Sequence, residues 1–498
     1  MNVLISGDHQ PISHFVVVPL MAQGHMIPMV DLALLLAHRG SLVSLITTPL
    51  NARRLRAIAD HATTSNLLFR LIELPFPCKS AGLPDGCENL DLITTVDLIR
   101  PFFKALDLMA DPLKSYIRSQ PPSPTCIISD QCMPWTMEVS DDLNIPRLVF
   151  HGPSCFFLLC TLKLAEHKLY EKVTDVHEIF TVPDLPQRIE VNKLMAQRFF
   201  DRPEMKDVMQ QVEEAEDASD GLVLNTFYKL ESWYIEEYRR SVGKEVWAVG
   251  PVSLVHKDAG GMAVRGDGCA GIDKGSVFEW LDGREKGSVL FISFGSLVRT
   301  RKKQLVEIGA GLEGSGVAFV WAVKEAEENE EVSKWLSEFE ERNRNRSRGL
   351  IVKGWVPQVM ILKHPAVGGF MTHCGWNSTL EAVAAGVPMV TWPHFSDQFL
   401  NEKLVVEVLR MGIGVGVKLP SFYQAMLEEA MVGREKVEMV VRRVMCGGEE
   451  GEEMRKRAWE LGEKARKAME DGGSSYENLS SLIGYATGLA ANRGGELQ

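Results

Sequence analysis

Short apolar runs alternate with amphipathic segments twice along this chain, and no other feature narrows the fold as much. In the first half HFVVVPL (His14 to Leu20), SLVSLITT, LLFRLIELP, CIISD (Cys126 to Asp130) and PRLVFHG read as buried strands. MIPMVDLALLLAHRG, ending at Gly40, and PLNARRLRAIAD read as helices among them, with Met21 to His25 as the loop after the first strand. Gly221 to Phe227 and Val246 to Val249 supply the last strands of this half. Continuous apolar strands separated by helices are buried on both faces, which means a parallel sheet with crossover helices. Phe76 to Asn89 reads as a long loop and Leu90 to Ser119 as largely helical. Lys257 to Gly275 is dense in glycine, without apolar period, and is the best linker. The rhythm then restarts at SVLFISFGS and runs through AFVWAVK, LIVKGW, VGGFMTHCG and PMVTWP to IGVGV. Glu325 to Arg348 is a charge run expected to be a solvated loop and helix, and the chain is helical from Arg434 onward.

At 498 residues the chain exceeds one ordinary core, so two or three domains are expected. A formal net charge of −12 argues against a nucleic-acid or anionic-membrane surface. No apolar run reaches the length of a membrane span, and MNVLISGDHQPISH lacks the layout of a secretory signal. Nine cysteines show no C-x-x-C pair, so reduced thiols and a cytoplasmic location are expected.

The chemistry concentrates in Trp355 to Gln398. Trp355 to Gln358 close a strand and open a helix at Pro357, where a proline costs no hydrogen bond. Val367 to Thr372 is a buried strand running into His373, Cys374, Gly375, Trp376, Asn377 and Ser378, then into TLEAVAAG, a helix stopped by Gly386. Gly375 permits close backbone approach, while Asn377 and Ser378 put donors beside the unpaired N–H groups of a helix start, a natural phosphate site. His373 adds a donor, Glu381 a carboxylate for a ribose, and Asp397 with Gln398 an acid/amide pair for vicinal hydroxyls. One Ser or Asn at a helix start is usually only a cap; the whole series points to a nucleotide sugar.

This stretch resembles, position by position, the signature box of plant secondary-product UDP-dependent glycosyltransferases, and the likeness covers nearly the whole chain. The resemblance implies the GT-B arrangement, α/β with two facing Rossmann-like domains and a cleft between them. The expected division is 1–252 for the acceptor, 253–275 as linker, 276–473 for the UDP-sugar, and 474–498 as a helix crossing back to the first domain. It also implies Trp355 stacked on uracil, Gln358 and the Val356 backbone on its edge, Glu381 on the ribose, and Ser296, His373, Asn377 and Ser378 on the diphosphate. Gly375 and Trp376 complete that donor site, with Asp397 and Gln398 on the sugar.

Transfer to an alcohol requires a base, and histidine suits neutral pH. His25 follows the first strand, where open α/β sheets place ligands, and Asp130 ends another strand on the same edge, where it can accept the second imidazole N–H. The context MAQGHMIPMVDLA resembles the segment that carries the family's base, and the resemblance gives the same pair. No D-x-D pair occurs, so neither metal nor cofactor is expected. Gly309 to Gly314 satisfies G-x-G-x-x-G but follows a helix, so its glycines are expected to end that helix. His364 reads as a helix end, and His394 replaces an apolar residue that many relatives carry near the sugar grip.

Trp355 opening the box and Gln398 closing it go, in that family, with UDP-glucose; UDP-galactose and UDP-glucuronate are the alternatives. An epimerase would show a glycine fingerprint after the first strand, and a non-catalytic nucleotide-sugar-binding protein would have no reason to keep both His25 and Asp130. The acceptor is expected to be an apolar hydroxylated small molecule of triterpenoid, steroid or flavonoid type. Phe76 to Asn89, Phe102-Phe103, Ser154 to Leu159 and Met195 to Phe200 are expected to line its pocket, and a single displacement would give a β-glycoside.

Overall fold

The computed structural model describes residues 12–495 apart from 94, 202, 266–273, 325–329, 346 and 422–430. Parts of the linker and charge-run readings (266–273, 325–329, 346) therefore lie outside the described residues. The chain begins with β1 (His14–Val18), β2 (Leu42–Thr47), β3 (Phe69–Glu73), β4 (Cys126–Asp130) and β5 (Arg147–His151). After a small antiparallel pair, β6 (Phe180–Thr181) and β7 (Glu190–Val191), come β8 (Gly221–Leu224) and β9 (Val246–Ala248). Seven of these form one parallel sheet in the order β3-β2-β1-β4-β5-β8-β9. The second half supplies β10 (Val289–Ser293), β11 (Ala318–Val323), β12 (Gly349–Lys353), β13 (Val367–Thr372), β14 (Met389–Thr391) and β15 (Gly412–Gly414). They form a six-stranded parallel sheet in the order β12-β11-β10-β13-β14-β15.

Both orders reverse direction at one place, between β1 and β4 and between β10 and β13. A doubly wound sheet opens a crevice at such a point, beyond the carboxyl ends of the two strands, because their crossover helices leave in opposite directions. Val18 pairs with Ser129, and Ser293 with Thr372, so each pair of strands ends level and delivers its next residues to one edge. Those residues include His25 and Asp130 in the first sheet, Ser296 and His373 in the second. The strands at these two points are buried apart from half-buried Ser293; Val16, Val17, Ile128, Phe291 and Phe370 are 0% exposed, and the rings of Phe291 and Phe370 stack at 5.1 Å.

Four local readings need correction. His25 is not in a loop: the helix runs Gln23–His38, which puts it in the first turn with Ala22 as N-cap. The helix also contains Pro28, although proline is comfortable only in a first turn. Here it sits inside, and its missing N–H leaves the Gly24 carbonyl without its usual partner. Second, the Gly-x-Gly segment does not end its helix; Lys302–Ser315 contains it, and Gly316 in the left-handed region ends the helix. A Cβ on Gly311 would lie 2.6 Å from that of Val437, so the glycines let this helix pack closely on Arg434–Cys446. Third, the expected linker contains a helix despite its glycines: Asp258 caps Ala259–Val264 by accepting the Gly261 N–H at 2.7 Å. Fourth, Pro357 is the N-cap of helix Gln358–Lys363 rather than its first residue; His364 is its C-cap.

The helix Ser474–Gly495 lies on the first sheet. Ser475 Oγ donates to the Gly250 carbonyl at 2.6 Å, Asn478 Nδ2 to that of Ala248 at 3.0 Å, and Tyr485 packs on Trp247 at 5.0 Å between ring centres. Among the described residues no helix is long and apolar enough to cross a membrane.

Candidate active site

Asp130 is 1% exposed at the end of β4, and both its oxygens are occupied. Oδ1 accepts the Cys132 backbone N–H at 2.8 Å, and Oδ2 lies 2.8 Å from His25 Nδ1. A carboxylate can only accept, so Nδ1 carries the hydrogen and Nε2 keeps its lone pair. His25 is half-buried on the wall of the cleft. Burial is the largest single influence on its pKa and pulls it down, but the charge and hydrogen bond of Asp130, helped by Asp397 across the cleft, outweigh it and raise the value. Cys132 Sγ joins this pair to make a trio of possible metal ligands within 4.8 Å of one another.

The donor box faces this pair across a cavity of about 1050 Å³. Each expected donor residue, Ser296, Trp355, Val356, Gln358, His373, Gly375, Trp376, Asn377, Ser378, Glu381, Asp397 and Gln398, lines it, and Asp130 stands behind His25. The edge of the His373 imidazole packs against Gly295 and Gly375. A Cβ on Gly295, whose φ is +77°, would come within 2.7 Å of His373 Cε1, and one on Gly375 would collide with Nε2. Burial lowers the His373 pKa to about 4, so its ring is neutral; its buried Nδ1 has no hydrogen-bond partner in the protein. Ser296 is held through its carbonyl, which accepts Arg299 Nη1 at 3.0 Å and Lys324 Nζ at 2.9 Å.

Helix Trp376–Ala385 starts at the end of β13 with Gly375 as N-cap, so Asn377 and Ser378 fall in its first turn. Ser378 Oγ accepts from Gln358 Nε2 at 3.0 Å, and the same amide donates to Glu381 Oε2 at 2.7 Å. Asn377 Nδ2 donates to the Gly24 carbonyl at 2.5 Å, the group that Pro28 leaves unpaired. The Trp376 indole N–H donates to the Asn225 carbonyl at 2.7 Å, so this residue fastens the donor box to the first sheet. Gln398 uses its carbonyl oxygen to hold the turn before it, accepting the N–H groups of His394 at 2.8 Å and Phe395 at 3.1 Å. Its amide N–H₂ is the part left for a ligand. Burial raises the Asp397 carboxyl to about 6, opposed by an Asn401 hydrogen bond and the charge of His25. His394 is 4% exposed, held neutral by burial, its pKa near 3, with neither ring nitrogen hydrogen-bonded.

Several residues escaped the sequence reading. Asn401 donates to Asp397 Oδ2 at 2.7 Å and to the Cys374 carbonyl at 2.9 Å, and accepts Ser154 Oγ at 2.8 Å. It thus fixes the Asp397 carboxylate to a helix cap of the first half; its only sequence signal is i+4 spacing from Asp397. Arg265, just past the helical part of the linker, reaches Glu381. Of the segments expected to meet the acceptor, Phe103, Phe157, Leu158, Phe199 and Phe200 do line the cavity, while Thr161, Leu162 and Ala165, further along the helix of Phe157, line it unforeseen. The expected segment Phe76 to Asn89 is absent from the described lining; Phe76 packs behind, on Phe102 at 5.6 Å.

Comparison with known proteins decides the family. Residues 275–432 match the model of UDP-glucoronosyl and UDP-glucosyl transferases, and 13–254 that of the glycosyltransferase N-terminal domain. UDP-glycosyltransferase 73E1 of Stevia rebaudiana is 47% identical over 481 residues, covering 94% of this chain and 95% of that protein. The chain belongs to the UDP-glycosyltransferase family. UDP-glycosyltransferase 73C3 of Arabidopsis thaliana is similar at 42% identity over 476 residues, 95% of this chain and 96% of that one. Among solved structures, Glycyrrhiza uralensis UGT73P12, complexed with glycyrrhetinic acid 3-O-monoglucuronide, superposes with a TM-score of 0.89 at 36% identity over 97% of this chain and 98% of that one. Phytolacca americana UGT2, complexed with UDP-2fluoro-glucose and pterostilbene, gives 0.73 at 26% identity over 95% and 100%. The two sheets are the paired Rossmann-like units of GT-B glycosyltransferases, and the protein is an enzyme that transfers a sugar from a UDP-sugar.

Proposed function

We propose that this glycosyltransferase moves glucose from UDP-glucose to a hydroxyl of an apolar small molecule of triterpenoid, steroid or flavonoid type, with inversion at the anomeric carbon. The observation that carries this reading is the His25 Nδ1–Asp130 Oδ2 contact of 2.8 Å, which leaves Nε2 basic on the wall shared by the donor box and a phenylalanine-lined chamber. His25 Nε2 removes the acceptor proton as the oxygen attacks, and Asp130 stabilises the imidazolium that forms. The bond from the anomeric carbon to the diphosphate breaks as the new one forms, so a β-glycoside and UDP result. Negative charge grows on the departing diphosphate. It meets fixed donors: Ser296, neutral His373 and the first turn that holds Asn377 and Ser378, which supply the electrostatic help a metal gives elsewhere.

At the sugar, Asp397 accepts from hydroxyls and the Gln398 amide donates, a pairing suited to glucose and shared by the family's glucose users. The chamber gains acceptor affinity by burying apolar surface, at roughly 25 cal/mol per Å². Relatives support the class: the Glycyrrhiza structure holds a glycyrrhetinic acid glucuronide and the Phytolacca structure pterostilbene. The test is a competition panel of sapogenins, flavonols, small phenolic acids and free sugars, with UDP-glucose, UDP-galactose and UDP-glucuronate as donors. The highest kcat/KM is expected for UDP-glucose with a bulky apolar acceptor; a win for small acids, sugars or another donor overturns the reading.

A further inference from the structure

Among the described residues of the segment between the two halves, Arg265 is the charged side chain that lines the donor cavity. Arg265 Nε donates to Asp31 Oδ2 at 2.8 Å, and its Nη1 to Glu381 Oε1 at 2.6 Å. The side chains are 8%, 0% and 5% exposed, so two carboxylates and one guanidinium form a buried triad. His256 Nε2 adds a fourth group, 2.7 Å from the other oxygen of Asp31. Asp31 lies on the helix that begins with His25's turn; Glu381 lies on the helix of the donor box. The guanidinium is thus the cation between a carboxylate of each half.

The two Glu381 oxygens are now both held, Oε1 by Arg265 and Oε2 by the Gln358 amide at 2.7 Å. A carboxylate has about four acceptor positions, so two stay open for a vicinal diol while the plane of the group is fixed. A planar fork with one branch on each partner can fix that plane; a lysine ammonium, a single point of charge, cannot. A buried glutamate without this cation would carry an uncompensated charge and turn toward whatever donor lay nearest.

We propose that Arg265 is a positioning residue for donor recognition: it aims Glu381 at the ribose hydroxyls and, through Asp31, ties that aim to the helix of the base. The proposal rests on the reading of Glu381 as the ribose carboxylate. Ribose recognition is then shared by the donor box and the segment joining the halves, and nucleotide affinity responds to changes in a stretch outside the box.

The test titrates UDP and 2′,3′-dideoxy-UDP into the full-length wild type, Arg265→Lys and Glu381→Gln, with melting followed for each. The wild type should prefer UDP, and Glu381→Gln should erase most of that preference. Arg265→Lys should weaken UDP about tenfold, the scale of one charge-assisted hydrogen bond, and leave the dideoxy nucleotide within about twofold. Equal losses for both nucleotides, or no loss for UDP, overturn the role of Arg265. A preference that survives in Glu381→Gln overturns the ribose reading itself, a distinct outcome. Should Arg265→Lys fail to fold, Asp31→Asn keeps the guanidinium on Glu381 but frees its far end. It should cost UDP a few-fold and spare the dideoxy nucleotide; equal losses again refute the proposal.

Discussion

Replacing Asp130 with asparagine tests how the base is made. Asp130 serves two donors with two oxygens, the Cys132 N–H at 2.8 Å and the His25 ring at 2.8 Å. Asparagine has one carbonyl oxygen. If that oxygen keeps the rigid backbone contact, its N–H₂ faces His25 Nδ1, and the ring must move its hydrogen to Nε2 to accept. The nitrogen facing the acceptor is then a donor, and no base remains. General-base catalysis is worth about 10²- to 10⁴-fold, and a tautomer-inverting change of this kind removes most of it, so kcat should fall roughly 10²- to 10³-fold. UDP affinity should stay within about twofold, because Asp130 touches no donor-box residue. The pH profile adds a second readout. Asp130 raises the His25 pKa, so the acid limb of kcat/KM should lie above the ordinary histidine value in the wild type and move down in the variant. Initial rates of UDP release across pH, with calorimetric UDP titration, measure both. A kcat within about threefold of wild type, or an unmoved acid limb in a folded protein, would refute the pairing.

Other expectations follow from the same geometry. Gly295→Ala places a Cβ against His373 at a φ of +77°, so donor KM should rise about tenfold with little change in melting; an unchanged KM would remove His373 from the diphosphate site. Activity should survive excess chelator, since the donors proposed for the diphosphate are the protein's own; a loss restored by magnesium or manganese would show the cradle misread. Gln398→His should lower use of UDP-glucose, because one imidazole cannot both hold the His394 and Phe395 N–H groups and donate to the sugar. The Asp397 carboxyl is charged above about 6 and neutral below it, so donor KM should climb as pH falls through that value; a flat profile in wild type that Asp397→Asn leaves unaltered would exclude its role.

The parallel sheets were legible because their strands, buried on both faces, announce themselves as unbroken apolar runs; CIISD matches β4 residue for residue. That residues from Trp355 to Gln398 line one cavity was legible because they crowd at the ends of strands that meet at one crevice. What the sequence hid depended on distance or compensation. Nothing local tells that the carbonyl stranded by Pro28 would be taken by Asn377, 353 positions away. Glycine's poor helix propensity masked the short helix before Arg265, which an aspartate cap starts and packing sustains. Trp376 and Asn377 sit at positions expected to meet the ligand, yet their N–H groups fasten one half of the chain to the other. Only the assembled cleft distinguishes those uses.

Transfer by the proposed route depends most on His25. Transfer from UDP-glucose to a sapogenin or flavonol, followed by UDP release and product chromatography, should fall to near background in His25→Ala, while calorimetry shows UDP bound as in wild type and the fold melts normally. Turnover close to wild type in that folded variant would contradict the assignment of His25 as the base.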